Sequence, residues 1–324
     1  MQSRPFGPLG VVSELTLGGG GLGQGWGETS REEAVLTVRA AVDAGITLLD
    51  VAPMYGRGEA ERVVGAAFDG HWPDGVRVGT KVMVGDPGPG EVWSRVERSV
   101  ARSLETLGVG RADVLYLHSN IVPDGYVQSR FANTAAKLAT PWTRYVEEVR
   151  PAFDRLVADG RIGAWGITGI ALPRTVLDAI ADDPAPAVVQ CVANLLDSTG
   201  SIYVHDEPFE PRAVIAAASA RGCGVLGIRA VQAGALTDGF DRPLPEDDLD
   251  RMDFDRAAPF RALAQQLGES PAALAHRYAL SMPGISTVVL GVKNRTELAE
   301  CVAAAALGPL DADVIARIDA AVAR

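Results

Sequence analysis

The sequence is poor in the features that mark several large protein classes. It has three cysteines, Cys191, Cys223 and Cys301, set far apart in 324 residues. That spacing gives neither a disulfide framework nor a paired-cysteine metal site, so buried thiols are expected. No apolar run approaches the ~20 residues of a membrane helix. The opening MQSRPFGPLGVV has no charged leader followed by an apolar stretch, so no signal peptide is expected. Excess positive charge is absent too: the net charge is −11. That argues against nucleic acid or an anionic membrane as the main partner. Of four histidines, His71 and His205 lie in loops and His276 in the helical run AALAHRYAL. None has metal-ligand spacing with cysteine or carboxylate, so no metal is expected. Neither a G-x-S-x-G elbow nor a Walker phosphate loop is present. The expectation is a soluble, cytoplasmic protein.

What is there is a regular alternation. Hydrophobic residues make up 47% of the chain, enough for a large core. Eight β-rich runs occur at 13–17, 47–52, 77–83, 113–119, 164–169, 187–192, 224–230 and 286–291. Between them lie amphipathic segments such as REEAVLTVRAAVDAG and EVWSRVERSVARSLETLG. Strands apolar on both faces, each followed by a helix, indicate a parallel sheet covered by helices. Eight such units predict an α/β fold, a (β/α)8 TIM barrel forming a single domain over residues 1–324. Two connections, 119–143 and 231–253, are too long for plain βα loops and leave the C-terminal ends of strands. Barrels keep their active sites at those ends, so both loops are expected to be functional.

The stretch TLGGGGLGQGWGETS contains G-x-G-x-x-G at Gly18, Gly20 and Gly23. A dinucleotide-binding turn of the doubly wound kind runs directly into its helix. Here seven residues separate Gly23 from Arg31, and Ser30 with Glu33 forms a capping box that starts the helix later. Six glycines between 18 and 25 also make a chance match easy. The stretch reads as a flexible turn at the mouth of the first barrel strand.

Four polar residues mark the ends of successive strands: Asp50 in LLDVAPMYG, Tyr55 just after it, Lys81 in VGTKV and His118 in DVLYLHS. Singly, each has a bland explanation as a cap, a packing residue, an ion-pair partner or a core histidine. A barrel brings all four to one rim. A lysine ammonium beside a tyrosine favours the phenolate, and a carboxylate holds that ammonium in place. A histidine can then orient a carbonyl oxygen. The set suits carbonyl reduction or alcohol oxidation, with the hydride supplied by a cofactor, since no side chain provides one.

At these residues the chain resembles the aldo-keto reductase superfamily, in a form similar to its aldose and galactose dehydrogenases. DVAPMYG with GEAERVVG, GTK at 79–81, LH at 117–118, GRIGAWGITG, VVQCVANLLD, GVLGIRAVQAGALT and VVLGVKNRTELAEC carry the likeness over nearly the whole chain. The resemblance implies Asp50, Tyr55, Lys81 and His118 as a catalytic tetrad, with Tyr55 as general acid/base and Gln190 on the nicotinamide carboxamide. It also implies cofactor contacts at Gly20, Thr168, Arg229, Gly234, Gly291, Lys293 and Glu297. Trp26 and Trp142 are the implied substrate-pocket residues, with Tyr126 and Phe131 on the same long loop as Trp142. The chain departs from the family at Thr168–Gly169, where serine–asparagine is usual, near Ile228 and Arg229, where a stacking tyrosine is common, and at Cys301, where asparagine is usual. Two cations, Lys293 and Arg295, against one anion, Glu297, lean the expectation to NADP(H), with NAD(H) also open.

The implied activity is an NAD(P)-dependent oxidoreductase acting on an aldehyde, ketone or sugar as a monomer or small homo-oligomer. The alternative is a dinucleotide-binding regulatory subunit with little turnover.

Overall fold

The computed structural model describes residues 1–25, 27–127, 137–203, 205, 207–240 and 243–324. Trp26 and Phe131 lie outside them. Eight parallel strands close into a barrel: β1 Leu15–Gly18, β2 Leu48–Asp50, β3 Arg77–Val82, β4 Ala112–Leu117, β5 Ile162–Thr168, β6 Val188–Val192, β7 Gly224–Ile228 and β8 Thr287–Leu290. Each falls on one of the eight β-rich runs, because strands buried on both faces leave an almost continuous apolar signature. Helices α1 Arg31–Asp43, α2 Glu59–Phe68, α3 Val92–Leu107, α4 Arg150–Ala158, α5 Pro173–Ala181 and α6 Pro211–Ala220 follow the first six strands in turn. Leu249–Arg256, Ala258–Leu267 and Pro271–Ser281 form α7, α8 and α9 after β7, and Arg295–Ala306 and Ala312–Ala321 form α10 and α11 after β8.

The register brings the polar residues to one end of the barrel. Gly18 pairs with Asp50, Asp50 with Gly79, Lys81 with Tyr116 and Gln190 with Thr168. Beneath them the barrel is filled by Phe6, Val12, Leu48, Val114, Tyr116, Val188 and Leu226. Phe6 sits at the turn of an antiparallel hairpin, Ser3–Pro5 with Val11–Ser13, that the strand pattern did not announce. The Tyr116 ring occupies a slot between two strand glycines. A Cβ at Gly79 would lie 2.9 Å from its Cε2, and one at Gly166 would lie 3.0 Å from its Cδ1 and 2.4 Å from the Val188 carbonyl oxygen. Glycine weakens a strand, and here it leaves room for an aromatic ring across the barrel.

The described part of the long loop after β4 carries a short strand pair. Asn120–Val122 pairs in parallel with Ala139–Pro141. Thr140 donates to the Gly85 carbonyl at 2.9 Å, and Ser119 Oγ accepts from Val84 N at 2.8 Å and Gly85 N at 3.0 Å. These bonds tie both ends of the loop to the segment after β3. The connection after β7 contains the turn Gln232–Gly234 and then α7. All three cysteines are buried and free. Among the described residues, no helix is long and apolar enough to cross a membrane. No group of three or more histidine, cysteine or acidic side chains is placed to hold a metal ion among them.

Candidate active site

Strand ends β2, β3 and β4 bring Asp50, Lys81 and His118 together, and the loop after β2 adds Tyr55. The ammonium of Lys81 is enclosed, with its three protons directed at Asp50 Oδ1 and Oδ2, both at 2.8 Å, and at the Val51 carbonyl at 3.0 Å. Gln190 Nε2 donates to Asp50 Oδ1 at 2.9 Å. Above this floor sit two rings open to the mouth. Tyr55 and His118 meet edge to face with centroids 5.8 Å apart, and Lys81 Nζ lies 4.8 Å from the Tyr55 ring centre.

The electrostatics follow from burial. Desolvation alone would lower the Lys81 ammonium, but the charges of Asp50 and then Tyr55 raise it above its ordinary value, so it stays protonated. Burial raises the Asp50 carboxyl, against the pull of Lys81. Burial also raises the Tyr55 phenol; Lys81 lowers it, and Asp50 raises it further. Lys81 favours the phenolate, as expected from the sequence, but desolvation outweighs it and Tyr55 remains a protonated phenol at neutral pH. His118 is pushed down to about 3 by burial and by the Lys81 charge, and is therefore a neutral imidazole.

The His118 shift predicts a pH dependence. Its ordinary value is 6.5, so between there and about 3 the unfolded chain binds a proton that the folded protein does not. The stability tied to His118 is complete above that ordinary value and is lost as pH falls through the window. Denaturant midpoints at about pH 7 and about pH 4.5 should therefore differ less for His118→Gln than for the wild type. Equal differences would show that His118 is not held neutral.

The other expected site residues divide. Gln190 joins the cluster, but its amide nitrogen is committed to Asp50. Thr168 is buried and donates to the Leu117 carbonyl at 3.1 Å, a link between β4 and β5. Gly20 lies in the single helical turn Gly19–Leu22 at the end of β1. That turn is packed tightly: a Cβ at Gly21 would lie 2.1 Å from the Val292 carbonyl oxygen, and one at Gly23 2.8 Å from the Tyr55 backbone. The glycines thus fit a wedge between the segment after β8 and the Tyr55 loop. Ser30 caps α1 through Glu33 N at 3.0 Å, as expected, while the Glu33 carboxylate turns to Arg295 instead of closing the box. Trp142 packs on Tyr145, with centroids 5.8 Å apart, at the foot of the long loop.

Further round the rim, Arg229 has a left-handed φ of 59° and reaches Gln232 Oε1 at 2.7 Å and Asp250 Oδ1 at 2.6 Å. Gly234 closes the adjoining turn with φ 96°. Gly291 follows β8, where its carbonyl faces Gly21. At the start of α10, Glu297 Oε2 accepts from Lys293 N at 2.9 Å, and Glu297 Oε1 lies 3.4 Å from Lys293 Nζ. Glu33 accepts from Arg295 N at 3.0 Å and pairs with its guanidinium. Both places attract anions, with donors and cations taken by the protein's own carboxylates. Such a donor set fits the phosphate groups of a dinucleotide.

Sequence reasoning missed two features. Tyr116, directly below Lys81 with its ring centre 5.8 Å from Nζ, has no hydrogen-bond partner for its buried hydroxyl among the described residues. Its only signal was its place in β4, two residues before His118. The second is Tyr203 and His205, which join the expected Tyr126 in an aromatic group. His205 stands 5.8 Å from Tyr126 and 5.1 Å from Tyr203, ring centre to ring centre, and its Nε2 is 3.4 Å from Asn120 Nδ2.

A barrel whose rim carries this cluster defines a class of protein that comparison makes specific. Residues 14–323 match the model of the aldo/keto reductase family, and the chain belongs to that family. It is 26% identical to the L-galactose dehydrogenase of Arabidopsis thaliana, across 94% of this chain and 88% of that protein. It is also 26% identical to the probable voltage-gated potassium channel subunit beta of Oryza sativa subsp. japonica, across 99% and 97% of the two chains. The glycerol dehydrogenase of Gluconobacter oxydans superposes with a TM-score of 0.72 at 22% identity, covering 99% of this chain and 95% of that one. The family is one of oxidoreductases that use nicotinamide cofactors.

Proposed function

We propose that this protein interconverts a carbonyl and an alcohol on an aldose-like substrate, with a nicotinamide dinucleotide as redox partner. One observation carries the reading: an enclosed Lys81–Asp50 pair lies beneath a protonated Tyr55 and a neutral His118, both facing the barrel mouth. When bound, the dinucleotide supplies or accepts the hydride. His118, uncharged, donates a ring N–H to the carbonyl oxygen and fixes its position. Tyr55 gives its phenolic proton to that oxygen during reduction and takes it back during oxidation. Lys81 stabilises the phenolate left behind, and Asp50 with Gln190 keeps the ammonium from turning away. Tyr126, Tyr203 and His205 offer flat apolar faces with polar edges, the kind of wall on which a sugar ring stacks. The likeness to the L-galactose dehydrogenase supports the sugar class.

The test is steady-state absorbance of the reduced nicotinamide with a panel of aldoses, polyols and simple aldehydes. Saturable turnover with a sugar, and much weaker turnover with a short aldehyde, is the expected result. The second reading, a dinucleotide-binding regulatory subunit, draws on the likeness to the channel subunit. Tight dinucleotide binding with no turnover on the whole panel would favour it.

Cofactor choice follows from the start of α10. Lys293 and Arg295 lean the site towards a 2′-phosphate, and Glu297 and Glu33 oppose it by pairing with them. A phosphate must displace Glu297 from Lys293, whereas a free ribose hydroxyl can donate to that carboxylate. We expect use of both dinucleotides, with NADP(H) modestly ahead. Lys293→Ala should weaken NADP(H) by about tenfold and leave NAD(H) unchanged. Glu297→Gln should move the ratio the other way, towards NADP(H). Equal effects on both dinucleotides would remove these residues from the 2′ position.

A further inference from the structure

On the outer flank of the barrel, a cleft of about 570 Å³ lies between the loop after β2, the first turn of α2 and one face of α3. Five guanidiniums line it, Arg57 and Arg62 from one wall and Arg95, Arg98 and Arg102 from the other. This concentration occurs in a chain of net charge −11. We propose that the cleft is a binding site for a small ligand bearing two or more phosphate groups.

Helix geometry builds the site. Positions 95, 98 and 102 recur at helical spacing, so their side chains leave α3 on one face, opposite the buried face of Val92, Val96 and Val100. At 1.5 Å rise per residue the row spans about 10 Å, room for two or three linked phosphates. Arg57 and Arg62 face that row across the cleft, so an anion lying along it meets guanidiniums on both sides. Arginine's planar fork pairs with phosphate through two parallel hydrogen bonds, which suits this arrangement better than scattered point charges. Ser99 and Thr106 add hydroxyl groups to the lining.

Most of the positive charge inside the cleft is not paired within the described residues. Among the described residues, Arg57, Arg98 and Arg102 make no ion pair. Arg95 donates only to the Val84 carbonyl, at 2.7 Å, which fixes its position without neutralising it. Arg62 pairs with Glu59, which Arg31 shares. One carboxylate enters the lining, Glu61, and it accepts from Thr80 Oγ1 at 2.7 Å at the base of the cleft. Glu97 of α3 pairs with Arg161. Like charges this close repel one another, and an anion removes that cost. The volume suits a small molecule, and the concave shape admits one better than the flat face of a protein.

Titration calorimetry of the full chain with sodium tripolyphosphate tests the proposal. Saturable binding is expected that weakens as sodium chloride is raised, because the contacts are charge–charge. The exposed pair Arg98→Ala/Arg102→Ala should weaken it by at least about tenfold. Arg155→Ala/Arg174→Ala, which removes the same charge from exposed positions elsewhere, should leave it unchanged. Matching thermal melts would show that each variant folds. No saturable heat, or a loss in Arg98→Ala/Arg102→Ala no greater than in Arg155→Ala/Arg174→Ala, would overturn the proposal. So would binding of an oligoglutamate peptide in preference to tripolyphosphate.

Discussion

Tyr55→Phe is expected to abolish turnover while leaving the protein folded and able to bind dinucleotide. The substitution deletes one hydroxyl, whose partner Lys81 keeps its bonds to Asp50 and Val51. The edge-to-face contact with His118 is kept, since the ring itself is unchanged. What disappears is the only proton donor in the cluster with suitable chemistry: Lys81 has its protons committed to Asp50 and Val51. General acid–base catalysis typically contributes about a hundredfold to ten-thousandfold, and a loss in that range is expected in kcat. Dinucleotide affinity, measured by quenching of protein fluorescence, should stay within about twofold. A variant retaining more than about a tenth of wild-type kcat would remove Tyr55 from the proton path. The wild-type pH profile supplies a second check. Because the phenol is held above its ordinary value of 10.0, reduction should proceed well at neutral pH, and oxidation should keep accelerating as pH rises towards that value and beyond. An oxidation rate flat from neutrality upward would mean that a different group accepts the proton.

The parts of this site that could be read from the sequence are those carried by short-range pattern. The barrel strands are apolar on both faces, and a lysine, an aspartate or a histidine at the end of such a run stands out against it. Their register then follows from the closed barrel. Other features depend on long-range packing that no local pattern encodes. The Glu33–Arg295 pair joins residues 262 positions apart, so a capping-box glutamate and a supposed phosphate ligand each looked free for another task. Gln190 and Asp50 meet across 140 positions. The fit of the Tyr116 ring between Gly79 and Gly166 likewise emerges only when their strands lie side by side. The hairpin at Ser3–Ser13 has strands of three residues each, too short to show alternation, yet it seats Phe6 in the barrel floor. The pKa of Tyr55 belongs to the same group. Sequence indicates that a lysine and its carboxylate are near, and only geometry shows that burial outweighs the lysine's pull on the phenol.

That geometry sets the largest stability effect expected in the molecule, in Lys81→Met. Methionine fills a similar volume and removes the charge, leaving Asp50 enclosed with a single hydrogen bond from Gln190. Breaking a buried pair by deleting one partner costs about 3–5 kcal/mol, because the remaining charge is stranded. Asp50 can escape part of that cost by taking up a proton, and burial already raises its pKa in the intact protein. Without Lys81 the folded value rises further above the unfolded 3.8. A raised folded pKa gives stability that is present below the unfolded value and lost as pH rises through the folded one. The stability deficit of Lys81→Met relative to wild type should therefore grow from acid towards neutral pH, as read from denaturant midpoints. Adding Asp50→Asn removes the stranded charge, so Lys81→Met/Asp50→Asn should recover most of the lost stability. It should not recover turnover, because no ammonium remains to stabilise the Tyr55 phenolate. Asp50→Asn alone should lose less activity than Lys81→Met, since it leaves the ammonium in place but less firmly held. If the double variant regained activity along with stability, Lys81 would be a structural residue and the proton path would have to run without it. If the deficit did not change with pH, Asp50 would be charged in the variant, and the enclosed pair would be more open to water than its geometry indicates.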